Sequence, residues 1–191
     1  MAEHMQGDGG RRGNRWRPAI WGGATFLLLL PLLAMQFFPA GGVNWTLADF
    51  VVMGAMLSIA CGAYELVAWL SGNTAYRAAA GVAILAGFLT VWVNLAVGMI
   101  GSEDNPYNLL FAGVLAIGLI GALFARLEAR GMVRAMYATA FVQALVAAVA
   151  LVAGWDPRGA VFSMCFAVPW LVSAVLFGNA ARALERAGAT R

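Results

Sequence analysis

Glu103 and Asp104 stand side by side in the run "VGMIGSEDNPYNLL", residues 97–110, where an apolar stretch turns polar, meets a proline and becomes apolar again. Two adjacent carboxylates on an outer loop offer a place for a cation or a basic partner. The same run has a plainer use. Asn105 is placed to cap the fourth helix with Pro106 as its first residue. Glu103 and Asp104 then lie by the positive end of that helix's dipole. Capping accounts for Asn105 and Pro106 fully, and for two acids less well, since one would suffice. "WDP" repeats the arrangement, with Asp156 as the cap and Pro157 first in its helix.

The other candidate chemistry lies inside the apolar runs. Glu65 is the one acidic or basic residue well within any of them. Gly54, Ser58 and Gly62 recur every four residues before it, a small-residue stripe that lets helices approach closely. Glu65 lies seven positions beyond Ser58 and so returns to within about 20° of that face. It is expected to point into the packed interior, roughly 8 Å from the inner end of its helix. Burial at that depth favours the uncharged carboxyl unless an arginine, Arg77 or Arg134, pairs with it. Thr139 and Gln143, one turn apart on the fifth helix at roughly 8 and 13 Å depth, offer it a hydrogen-bonding ladder. Such a set serves either as interhelical glue or as a proton or cation relay. On the third helix Ala83, Gly87, Thr90, Asn94, Gly98 and Gly101 share one broad face. Asn94 lies roughly 24 Å from the inner end, too far from Glu65 to share a small site.

Other chemistries lack their residues. His4 is the only histidine, which removes bis-His haem and His-rich metal sites. Cys61 and Cys165 both sit in apolar runs, against a disulfide framework or a Cys-based zinc site. Met35, Met53, Met56, Met99 and Met164, with Cys165, gather in the outer half and raise the question of Cu(I). Met53 and Met56 point away from the glycine stripe, however, and methionine is a common gap-filler. Without a paired-carboxylate motif in the spans, a Ser/His set or a phosphate-cradling loop, no enzyme, cofactor or bound metal is expected.

The elements that must position these residues follow from composition. Hydrophobic residues make up 62% of the 191 and charged ones 11%, with a mean hydropathy of +0.80. A soluble domain of this size cannot hide so much apolar surface, so the solvent must be lipid. Apolar stretches at roughly 19–38, 51–71, 78–101, 107–125, 135–154 and 160–180 are each long enough to span as a helix. An all-α, six-span membrane bundle is expected, with tails at 1–18 and 181–191. Arg11, Arg12, Arg15 and Arg17 precede the first stretch as in a signal peptide, but its length and the lack of an A-x-A-like site favour an uncleaved helix. Tryptophans at 16, 21, 45, 69, 92, 155 and 170 mostly fit interfacial belts, and Pro31 and Pro169 are expected to kink the first and sixth helices.

All twelve basic residues are arginine. With the N-terminus inside, every one except Arg158 falls on the inner side, while Asp49, Glu103, Asp104 and Asp156 fall outside. That bias predicts both termini in the cytoplasm, and it suits a membrane face rather than nucleic acid. "YRAAAGVAILAG" and "VRAMYATAFVQA" open two helices of the same orientation, which suggests that helices two and three repeat as four and five. Shared insertion constraints produce the same pattern.

"WVNLAVGMIGSEDNPYNLL", with "WTLADFVVMGAML" and "AYELVAW" before it, resembles a family of small bacterial multi-pass membrane proteins with no established function. The resemblance covers helices two to five and implies an inner-membrane location without implying an activity. Two readings follow. One is an accessory or structural bundle, a homo-oligomer packed through Gly/Ala/Ser faces. The alternative is a proton-coupled transporter or channel for a small solute or ion, built on Glu65, Gln143 and Asn94.

Overall fold

The computed structural model describes residues 16–189. Arg11, Arg12, Arg15 and Arg191, and with them most of the N-terminal tail, lie outside the described residues. Six apolar segments are long enough to cross a membrane, and no strand occurs among the described residues. The helices are α1 (Arg17–Phe37), α2 (Leu47–Leu70), α3 (Thr74–Ala96), α4 (Leu109–Phe124), α5 (Ala129–Val152), α6 (Pro157–Cys165) and α7 (Ala167–Ala189).

Two helices start about four residues before their apolar runs because polar residues cap them. Thr46 and Asp49 form a reciprocal capping box, with Asp49 Oδ2 accepting from Thr46 N at 2.7 Å. Asp49 therefore belongs to the first turn of α2 rather than to a loop. Asn73 caps α3 by accepting from Tyr76 N at 3.1 Å. The third helix stops at Ala96, short of the expected Gly101, and Gly98 and Gly101 both take left-handed φ in the loop beyond it. The last helix runs on to Ala189, so the expected tail at 181–189 is helical and carries Arg186 in its last turn.

The sixth span is interrupted rather than merely bent. Pro169 has no N–H for the Cys165 carbonyl, and its ring crowds that carbonyl. The helix breaks there, between α6 and α7. The first span passes Pro31 as one continuous helix.

α5 is the central helix and packs against α4, α6 and α7, while α3 packs mainly against α7. In lipid there is no hydrophobic drive between helices, so close van der Waals fit must hold them. The interior is accordingly rich in small residues, among them Ala79, Ala86, Ala135, Ala140, Ala147 and Ala174. A Cβ on Gly121 would lie 2.8 Å from that of Ala135, so α4 and α5 touch almost backbone to backbone. α2 flanks this bundle along α3. α1 packs against α2 and has no buried residue.

The glycine stripe of α2 does not face the bundle. Ser58 and Gly62 are exposed, and the buried residues are Met53, Leu57, Cys61 and Ala68. Two stripes compete on this helix, and the bulkier one fills the space against α3. Ser58 loses nothing by facing outward, because its hydroxyl donates to the Gly54 carbonyl at 2.7 Å.

Candidate functional site

Glu65 returns to the Ser58 side of α2, as its spacing requires, and that side turns toward α1. Its Oε1 accepts from the Trp21 indole at 2.7 Å and pairs with Arg17 Nε at 2.9 Å. The expected ladder to the fifth helix is absent. Thr139 donates to the Ala135 carbonyl of its own helix at 2.9 Å, and Gln143 donates to the Ser163 carbonyl at 2.9 Å. Neither expected arginine reaches Glu65. Arg77 closes the C-terminal end of α2 by donating to the carbonyls of Ser71 and Ala68, and Arg134 is exposed. Glu65 thus lies at the edge against α1 and not in the packed interior that its spacing from the glycine stripe suggests.

The bundle core holds a separate polar group: Thr90, Thr139, Gln143, Ser163 and Ser173, all fully buried. Their donors go to backbone carbonyls, including Ser173 to Ala79 across helices at 2.8 Å. Gln143 uses a carbonyl at the α6–α7 break, one turn before the interruption. Ser163 and Ser173 were not apparent from sequence, since single serines in apolar runs carry no distinctive spacing. Only the Gln143 and Ser173 bonds tie one helix to another; those of Thr90, Thr139 and Ser163 stay within their own helices, and Gln143 Oε1 is buried without a partner.

Asn94, by contrast, comes together with the acidic loop. A cavity of about 510 Å³ between α3 and α4 is lined by Asn94, Glu103, Asp104 and Asn105 above the apolar Phe111 and Leu115. The Asn94 amide donates to the Thr90 carbonyl at 2.7 Å, while its Oδ1 is buried without a partner. Glu103 and Asp104 are exposed, and neither makes a hydrogen bond or ion pair to a described residue.

Side chains that the sequence reading weighed as caps hold this loop in place. Asn105 accepts from Tyr107 N at 3.0 Å with Pro106 at the first position, although the element they open is a 3-10 turn, Pro106–Asn108, leading into α4. Asp156 caps α6 through Arg158 N at 3.1 Å and also accepts from Gly101 N at 2.9 Å, which joins the α3–α4 loop to the α5–α6 loop. Tyr107 and Trp155 stack beside it at 3.8 Å. Asn108 is the residue that sequence reading missed. Its Oδ1 accepts from Met99 N and Ile100 N at 3.0 and 2.9 Å, and its amide donates to Ser102 O at 2.8 Å. A second asparagine three places after a capping one was its only signal.

The chain matches no family model, no curated protein and no solved structure.

The backbone N–H groups of Gly101 and Gly159 hold the Asp156 carboxyl below its ordinary range. A carboxyl whose folded pKa is depressed lends stability above its unfolded value, near 4, and loses it as pH falls through the folded value. Unfolding followed in detergent from pH 6 downward should show stability dropping below about pH 4. Asp156→Asn should flatten the part of that drop due to this residue. An unchanged profile in the variant would remove Asp156 from the account.

Among the described residues, no group of three or more His, Cys, Asp or Glu side chains comes together for a metal. Met53 and Met56 line one hollow together with Trp45, whose backbone N–H donates to Met35 Sδ at 3.4 Å, while Met99 is buried and Met164 is exposed.

Proposed function

We propose that this chain is an accessory helix bundle of the bacterial inner membrane, with both termini cytoplasmic, that acts through its faces rather than by moving a solute. The observation that carries this reading is the position of Glu65. The one carboxyl well inside an apolar run, Glu65, is engaged by Arg17 and Trp21 at the α1–α2 edge, outside the bundle that buries Thr139 and Gln143. A relay needs its titratable group and its polar relays on one path. The bulkier α2 face fills the space against α3, and on the side that carries α1, where Gly54 meets Leu28, Ser58 and Gly62 stay exposed beside α1 for a second copy of the chain.

A transport reading keeps one observation in its favour, the outer cavity where Asn94 meets Glu103 and Asp104. Proteoliposomes loaded with a pH-sensitive dye separate the two. Proton flux should match that of empty liposomes in wild type and in Glu65→Gln alike. Flux present in wild type and lost in Glu65→Gln would establish the relay instead. Orientation has its own test. Reporter fusions at Thr74 and Gly131 should score as cytoplasmic, and those at Gly42, Asn105 and Arg158 as periplasmic. Any of the last three scoring inside would break the six-span arrangement.

A further inference from the structure

Because α1 packs against α2 and α3 packs on the other side of α2, a cleft opens between the first and third helices. Its volume is about 460 Å³, with a floor of Leu57, Ala60 and Tyr64 and walls that include Ile20, Leu27 and Phe88. Trp16, Cys61 and Tyr64 apart, every side chain lining it is hydrocarbon. The cleft follows α1 from Trp16 to Leu27, and at 1.5 Å per residue that is roughly 16 Å. Half of a hydrocarbon core about 30 Å thick is the depth of one leaflet. The groove thus has the polarity and length of a single acyl chain entering from the Trp16 end.

That end carries a group that recognises phosphate. Arg17 follows Trp16 and lines, with Pro18 and Trp21, a second hollow on the adjacent face of α1. Its side chain is 67% exposed while its Nε is held by Glu65. The salt bridge fixes the guanidinium plane, and the outer edge of its fork suits two oxygens of one phosphate.

We infer that this groove is a binding site for one glycerophospholipid, with an acyl chain between α1 and α3 and its phosphate on Arg17. The site goes beyond the accessory role proposed above and depends only on the helices lying in a bilayer. The flux experiment can fail without touching it.

Native mass spectrometry of the full chain in detergent, titrated with phosphatidylglycerol or with diacylglycerol of the same chains, tests both halves. Wild type should retain one phosphatidylglycerol per chain. Ala60→Phe, which fills the floor, should retain at least tenfold less of either lipid while keeping wild-type helix content. Ile84→Trp fills the groove from the α3 wall and should do the same, so it carries the test if Ala60→Phe does not fold. Arg17→Gln should weaken phosphatidylglycerol several-fold and leave diacylglycerol unchanged. A broad, non-stoichiometric lipid distribution in wild type, or full retention by a folded filling variant, overturns the site. Equal retention of both lipids by wild type overturns the role of Arg17.

Discussion

Asn108→Ala should cost about 3 kcal/mol, far more than a substitution in a membrane-surface loop ordinarily costs. The side chain is almost fully buried and serves three backbone groups at once: Met99 N, Ile100 N and Ser102 O. Met99 and Ile100 are themselves shut off from solvent, at 1% and 0% exposure. Truncation therefore strands two buried donors rather than returning them to water, and each stranded group costs about 1–3 kcal/mol. Asn108→Asp separates the contributions, because it keeps the acceptor and loses the donor to Ser102. It should fall between wild type and alanine. Asn105→Ala, at the partly exposed cap, should cost only about 1 kcal/mol. Equilibrium unfolding in mixed micelles measures all three, and equal losses at 105 and 108 would mean that the loop is not organised around Asn108.

Gly159→Ala should be as damaging for a different reason. A Cβ at this position would fall 2.5 Å from the Met99 carbonyl oxygen and also strike the Asp156 carboxyl. The obstacle is backbone, so no side-chain rotation relieves it. The first turn of α6 would have to move away from the loop after α3, and the Gly101–Asp156 hydrogen bond would be pulled with it. A loss of about 3 kcal/mol is expected, the scale of an overpacked core. Gly113→Ala is the matched control. Nothing lies within 4 Å of its added Cβ, and in a helix the change should be neutral or stabilising by up to about 1 kcal/mol. If Gly159→Ala behaves like Gly113→Ala, the start of α6 and the loop after α3 are not in close contact.

The number of spans and the Asn105 and Asp156 caps are legible because both are local. Chain length per span and the Asn-Pro and Asp-Pro pairs report on their own neighbourhoods. Which face meets which helix is not. In lipid every face of a span is apolar, so the amphipathic signal that orients a helix in a soluble protein is gone. On α2 the glycine stripe is the expected interior, yet the buried residues are Met53, Leu57, Cys61 and Ala68. For the same reason Glu65, expected in the packed interior beside Thr139 and Gln143, lies instead at the α1–α2 edge against Arg17 and Trp21. Asn94 and the acidic loop, separated by a turn that holds two left-handed glycines, come together only once that turn is built.

The pairing of α3 with α7 has a consequence for how the chain is made. Ser173 donates to the Ala79 carbonyl across 94 positions of sequence, and Ala79, Ala86 and Thr90 are buried once α7 is in place. At roughly 5–20 residues per second, a ribosome takes on the order of 5–20 s to reach Ser173 after Ala79. Throughout that interval the inner face of α3 waits in the membrane without its main partner. Early spans must therefore be held near the insertion machinery, or shielded by it, until the last one arrives. Truncation before α7 should leave a chain that inserts but that membrane proteases remove quickly.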